Sequence, residues 1–280
     1  MSQIDLHTHT TFSDGSYTPD ELMKYASKKG LKAIAVTDHD TIDGHKESLE
    51  RANHYGIEFI PGVEVGTSYD GKELHILGLF IDNTNEKLLS LLKSSREMRD
   101  RRAEKIIEIF NADGIDVSIE DIKAFSGQEA IGRPHFAKFL ISKGYYNSVS
   151  DAMKNYLGRG QRAYVARPLP TPQDVFDIIK CAGGISILAH PIQYRMNSDI
   201  EETMIEELKN RGLAGVEAIY SENSAEDTRR YLDLAKKYDL LISGGSDFHG
   251  DVKPGLDLGV GFGDLRVDYS VLDRLRTYIF

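Results

Sequence analysis

What this chain lacks narrows its class before any motif is read. It has a single cysteine, Cys181, among 280 residues. Cys181 stands in Ile179-Lys180-Cys181-Ala182, on an apolar stretch of a predicted helix, with no local motif for a reactive thiol. It reads as a buried structural thiol, and a lone cysteine points to a reducing, cytoplasmic setting. Although 40% of the residues are hydrophobic, no apolar run is long enough for a membrane-spanning helix. No signal peptide is expected either, because a chemistry-bearing motif already begins by residue 5. A basic surplus is missing too: 34 Lys and Arg face 44 Asp and Glu, for a net charge of −10. That argues against holding duplex nucleic acid through a broad basic surface, while leaving room for a small anionic substrate. Neither internal repeats nor low-complexity segments are visible, and no protein partner is predicted.

Histidine, by contrast, is patterned. Of nine histidines, six fall in short islands with acids. The first is Asp5-Leu6-His7-Thr8-His9 followed by Asp14. Then come Thr37-Asp38-His39-Asp40, Glu64 in Pro-Gly-Val-Glu-Val, and His75 in Glu-Leu-His-Ile. Ala189-His190-Pro191 and Ser246-Asp247-Phe248-His249-Gly250 close the series. Imidazole and carboxylate together suit borderline divalent ions. His7, His9, His39, His75, His190 and His249 with Asp14, Glu64 and Asp247 make nine candidate ligands, enough for about three ions if some ligands bridge. Three such ions against three carboxylates leave a centre of about +3, which attracts phosphate.

The background pattern is strand followed by helix. Gln3–Leu6, Ala33–Val36, Phe59–Val65, His75–Phe80, Ile185–Ala189, Val216–Ile219 and Leu241–Ser243 read as strands. Thr18-Pro19-Asp20-Glu21 and Thr171-Pro172-Gln173-Asp174 each offer a cap, a proline at the first helical position and an acid three residues after the cap. Ser224 to Tyr238 has helical spacing. Alternation of this kind implies a parallel sheet with right-handed crossovers. Most candidate ligands then follow strands, where a parallel barrel gathers strand C-termini on one rim. His75 is the exception, since it opens its strand. Residues 82–170 break the rhythm with a long charged helix, Asn85 to Asn111, and shorter helical pieces. This stretch reads as a helical insertion capping the rim, between barrel segments 1–81 and 171–280.

These islands, in this order, resemble the PHP (polymerase and histidinol phosphatase) family of metal-dependent phosphoesterases. The resemblance covers residues 3–80 and 171–250. Together with Ile131-Gly132-Arg133-Pro134-His135-Phe136, the insertion makes the chain similar to the subgroup that removes the 3′-phosphate from nucleoside 3′,5′-bisphosphates and trims short RNA from its 5′ end. The resemblance implies an α/β fold, a distorted seven-stranded (β/α) barrel. It implies three divalent transition metal ions, manganese, iron or zinc. His7, His9, Glu64 and Asp247 would hold the first; Glu64, His75 and His190 the second; Asp14, His39 and His249 the third. It also implies attack on phosphorus by a metal-bridging hydroxide, with no protein nucleophile. Another phosphomonoesterase such as a histidinol phosphatase, or a non-catalytic or proofreading PHP module, stands as the alternative.

Other residues take supporting roles in this reading. Asp38, Asp40 and Asp5 are expected to fix the neighbouring imidazoles. Arg133 and His135 are candidates for substrate binding, because guanidinium matches phosphate and Pro134 marks a helix start whose amides face an anion. The arginines around Arg99 read as a solvated helix face, and His45 and His54 as surface residues. Tyr220, Ser221 and Asn223 are candidates for ribose or base contacts, and Gly244-Gly245 for a tight turn that turns Asp247 and His249 inward.

Overall fold

The computed structural model describes residues 3–127 and 131–279. Its contacts divide the chain into two compact units, Met1–Leu92 with Leu169–Phe280, and Lys93–Pro168.

The first unit begins β1 (Ile4–Thr8), α1 (Pro19–Lys29), β2 (Ala33–Val36), α2 (His45–Tyr55), β3 (Glu58–Tyr69) and β4 (Lys72–Leu79). Helix α3 (Glu86–Ala112) then leads into the second unit, which continues with α4 (Ile119–Ser126), α5 (Arg133–Ser142) and α6 (Val149–Ala152). The chain returns through α7 (Pro172–Cys181), β5 (Ile185–Leu188), α8 (Ser198–Asn210), β6 (Gly215–Tyr220), α9 (Ala225–Lys237), β7 (Leu241–Gly245) and α10 (Tyr269–Ile279). The helix starts follow local chemistry. Thr18, Thr171 and Ser224 each cap their helix and close a reciprocal bond with the acid three residues on, which satisfies two otherwise orphaned donors.

Among the described residues, seven strands form one sheet in chain order. Parallel pairing links β1 to β2, β2 to β3, β5 to β6 and β6 to β7. Strand β4 departs from the expected all-parallel sheet, running antiparallel to both β3 and β5. The cause is local. Tyr69 pairs with Lys72, and Asp70 and Gly71 between them both have positive φ, 46° and 69°, the two-residue turn that Asp-Gly favours. A reversed strand brings its N-terminal end to the rim where its neighbours' C-termini lie. That is why His75 sits beside ligands that follow their strands. Nearly closing the barrel, β1 meets the segment after β7: His9 N–H donates to Phe248 O at 2.9 Å and Asp247 N–H to His7 O at 2.9 Å. Gly244 and Gly245 lie inside β7 rather than in a turn. A Cβ on Gly245 would stand 2.5 Å from His7 N, so glycine is needed there for closure.

Ile4, Leu6, Ala33, Ala35, Leu77, Leu79, Ile185 and Ile187 pack with Leu272 and Leu275 of α10. Val63, Val65, Leu74 and Ile76 pack with Val175, Phe176 and Ile179 of α7, and with Leu88 and Leu92 at the start of α3. Each fully buried aliphatic side chain contributes about 1.5–3 kcal/mol, which fixes the strands whose ends carry polar groups. The second unit is helical among its described residues, with its own core around Phe110, Phe136, Leu140 and Tyr156. No helix among the described residues is long and apolar enough to cross a membrane.

Candidate metal centre

Strands of the first unit and the loops that follow them deliver the candidate ligands. His7 is on β1, with His9 and Asp14 in the loop after it. This loop is held by Asp38, which accepts from Thr10 N–H at 2.8 Å, Thr10 Oγ1 at 2.6 Å and Ser13 Oγ. Asp38 therefore fixes the loop that carries His9 and Asp14, not the imidazole of His39. His39 reaches β3 through backbone bonds on either side, Asp40 N–H to Glu64 O at 3.0 Å and Glu64 N–H to Asp38 O at 3.3 Å. His190 and Asp247 follow β5 and β7 with φ of 29° and 57°. Left-handed backbone costs a non-glycine residue about 1–3 kcal/mol and persists only where neighbours over-determine it.

All of these side chains meet around Glu64, which is 99% buried. Its Oε1 lies 2.8 Å from His75 Nδ1 and 2.9 Å from His190 Nε2. Its Oε2 lies 3.2 Å from His7 Nε2, 3.2 Å from His9 Nε2 and 3.3 Å from His39 Nδ1. Asp247 Oδ1 is 3.2 Å from His9 Nε2 and 3.5 Å from His7 Nε2. Asp14 is 3.2 Å from His249 Nε2, 3.8 Å from His39 Nε2 and 3.7 Å from His9 Nδ1. Among the described residues, three sets of donor atoms lie mutually within 4.8 Å: His7, His9, Glu64 and Asp247; His39, Glu64 and His75; and His9, Asp14, His39 and His249. His9 and His39 thus stand between sets, a sharing that the sequence reading did not include.

The donor sets fit divalent cations. Bonds of about 2.0–2.2 Å place neighbouring ligand atoms roughly 3.0–3.5 Å apart, the spacing found around Glu64 Oε2. His9 Nε2 is buried and close to two carboxylates yet makes no aligned hydrogen bond, as befits ligand atoms converging on a cation rather than on each other.

Glu217 on β6 is the principal residue that sequence reasoning missed. Fully buried, it takes His7 Nδ1 at 3.0 Å and the N–H of His190 at 2.7 Å. A proton on Nδ1 turns the Nε2 lone pair toward Glu64. The only signal in the sequence is an acid inside the apolar run Val216–Ile219. His249 Nδ1 is similarly directed to Asp247 O at 2.8 Å. Tyr194 Oη accepts from His75 N–H at 2.9 Å and donates to Ala189 O at 2.8 Å, bolting β4 to β5. Asp5 accepts from Ser246 N–H at 2.9 Å and Gly259 N–H at 2.9 Å; it braces the backbone beside Asp247 rather than an imidazole. Burial pushes Asp5 up to about 6 despite these donors. Tyr220 Oη donates to Asp247 Oδ2 at 3.0 Å, Ser221 Oγ to Ser246 O at 2.8 Å and Asn223 Nδ2 to Ala218 O at 3.0 Å. All three hold the fold, instead of standing ready for a sugar or base. Asp40 is buried at φ 55°.

The electrostatics are those of a packed anion and imidazole cluster. Burial works against charge on His9, but Asp247 and Glu64 outweigh it and raise its pKa to about 9. Burial likewise opposes the charged form of His7, and Glu217, Glu64 and Asp247 hold it well above the usual range. His39 is pushed down to about 3 by burial. Burial would raise Asp247, yet Lys253 and then His249 and His7 keep it well below the carboxylate range.

Other expected residues lie elsewhere. In the second unit, Arg133 opens α5 with its guanidinium 5.9 Å from the Tyr164 ring centre. His135 is buried, and its Nδ1 accepts from Gly132 N–H at 2.9 Å to close the helix start. Cys181 is exposed, contrary to expectation: α7 buries Val175, Phe176 and Ile179, and residue 181 falls off that stripe. His45 is buried, bonded to Asn83 at 2.9 Å and edge-on to Phe59. His54 is exposed.

A barrel of this form with imidazoles and carboxylates gathered at its rim is that of a metal-dependent phosphoesterase. Residues 5–162 match the PHP domain family, and the chain belongs to that family. It is 36% identical, over 88% of its length and 90% of the relative's, to a 5′-3′ exoribonuclease from Haemophilus influenzae. It is 34% identical, over 92% and 91%, to a 3′,5′-nucleoside bisphosphate phosphatase from Chromobacterium violaceum. A solved structure from Bifidobacterium adolescentis, assigned as a metal-dependent phosphoesterase, matches with a TM-score of 0.85 and 32% identity over 99% of this chain and 96% of that one.

Proposed function

We propose that this phosphoesterase removes the 3′-phosphate of nucleoside 3′,5′-bisphosphates and also trims short RNA from its 5′ end, acting in the cytoplasm on three divalent ions of manganese, iron or zinc. The observation that carries the reading is Glu64, whose two oxygens address different imidazole sets. His75 and His190 face one; His7, His9 and His39 face the other. On this reading Glu64 bridges two sites, one completed by His7, His9 and Asp247 and the other by His75 and His190. Asp14, His39 and His249 hold the third. Divalent ions there would activate water and neutralise charge at phosphorus. Glu217 and the carbonyl of Asp247 keep the His7 and His249 tautomers correct for ligation. The likeness to the bisphosphate phosphatase and the exoribonuclease supports the choice of substrate.

On the same reading Arg133 and His135 are the residues proposed to bind the 5′-phosphate. A nucleoside bisphosphate presents two anionic ends, of which only one is hydrolysed. Loss of a charge-assisted contact costs roughly 1.5–3 kcal/mol, so kcat/KM for a 3′-monophosphate should be about one to two decades lower. Steady-state kinetics on the pair, with wild type and Arg133→Ala, test this. Arg133→Ala should erase most of the preference without changing metal content. Equal rates on both substrates with wild type would refute the bisphosphatase reading.

A further inference from the structure

Asp247 is contacted on both of its oxygens. Oδ1 faces His9 and His7, whereas Oδ2 faces Tyr220 Oη at 3.0 Å and the ammonium of Lys253. The two donors on Oδ2 differ in kind. Tyr220 is buried, and its hydroxyl oxygen accepts from Gln193 Nε2 at 2.6 Å. A phenol has one proton, so with Gln193 donating, that proton is directed at Asp247. The Asp247 backbone is pinned by its N–H to His7 O. Orientation of Asp247 is therefore complete without Lys253.

Lys253 follows the 3-10 turn Gly250–Val252, on a four-carbon stem, with its side chain 33% exposed. An ammonium beside a carboxylate that is to hold a dication repels that dication and weakens its binding. The arrangement makes physical sense when an anion arrives with the substrate and uses the charge. We propose that Lys253 is a substrate-binding residue, turning from Asp247 Oδ2 to an oxygen of the phosphoryl group being hydrolysed. This rests on the reading of Asp247 as a metal ligand and of the substrate as a phosphate ester. A compact charge with three rotatable donors on a flexible stem suits such a transfer between two anions.

Lys253→Met keeps the stem and removes the charge. In metal-loaded protein, binding of inorganic phosphate followed by calorimetry should weaken about ten- to a hundredfold, and kcat/KM for the bisphosphate should fall by a similar factor. Metal affinity should stay the same or rise, because a repelling charge has gone. Lys253→Arg should recover much of the phosphate binding. Two results would overturn the proposal: phosphate binding as tight as wild type in Lys253→Met, or a loss of metal affinity in that variant with phosphate binding restored at saturating metal. The second would make Lys253 a holder of Asp247. A wild type that binds phosphate through Lys253 yet hydrolyses no nucleotide would sink the substrate reading alone.

Discussion

Glu217 offers the sharpest test of how the centre is assembled. In Glu217→Gln the shape is kept, but one carboxylate oxygen becomes an NH₂ group. Two donors now need acceptors, His7 Nδ1–H at 3.0 Å and His190 N–H at 2.7 Å, and the amide offers only one oxygen. Turned one way, the NH₂ faces the His190 N–H; turned the other, it donates to His7 Nδ1 and forces the ring proton onto Nε2, the ligating atom, in a site with no exposure to water. Losing one charge-assisted bond costs about 1.5–3 kcal/mol, and second partners of ligating histidines are typically worth 10–100-fold in metal affinity. The two estimates agree. Competition with a chelating dye should therefore show metal affinity down by about one to two decades, with most of kcat regained at saturating metal. If the variant binds metal as tightly as wild type, Glu217 is not setting the His7 tautomer and the account of the site is wrong.

Glu64→Ala should abolish turnover and remove more than one equivalent of metal by elemental analysis, since both of its oxygens face ligand imidazoles. Asp14→Ala should cost a single equivalent and be partly rescued by excess metal; equal and unrescuable loss in both would refute this division. Metal binding should also depend on pH through His9, whose metal-free pKa is about 9 rather than 6.5. A raised histidine stabilises the metal-free fold below pH 6.5, and that contribution is lost as pH rises through about 9. Metal needs neutral rings, so the sign reverses: with His7 raised as well as His9, apparent affinity should climb at least tenfold per pH unit up to about 9. Calorimetry in buffers of different ionisation enthalpy would count the proton released; a flat profile between pH 7 and 9 would contradict the His9 assignment.

His9, Asp14, His39, His190, Asp247 and His249 were legible in the sequence because each follows a strand, where a polar residue after an apolar run marks the rim. Strand direction was not legible. Period-two burial is the same whichever way a strand runs, so β4 reads as parallel until Asp70-Gly71 is recognised as a two-residue hairpin. Glu217 was hidden because it lies within a strand, as Glu64 and His75 do, but outside any of the ordered islands, so by pattern it is indistinguishable from a misplaced polar residue. Cys181 and His45 were misjudged on helix phase. Each lies one or two positions from the place where its helix turns between core and solvent, and an apolar or polar neighbourhood does not reveal that phase.

The reversed strand carries a consequence for the chemistry. In an all-parallel barrel, a residue in the first half of β4, as His75 is, would lie toward the far end from His7 and His190. The Asp70-Gly71 turn brings His75 instead to Glu64 Oε1, at 2.8 Å, next to His190 at 2.9 Å. Pairing of Gly66 with His75, and of Ile76 with Leu188, fixes this register. A one-residue slip would turn His75 to the other face of the sheet. Replacing Gly71 by valine tests the link, because a β-branched residue resists the φ of 69° that the turn needs. The variant should lose the ion that depends on His75 while retaining the site formed by Asp14, His39 and His249. Anomalous scattering or elemental analysis would then find fewer equivalents, not none. Full metal content in a folded Gly71→Val protein would show that the hairpin does not control the second site.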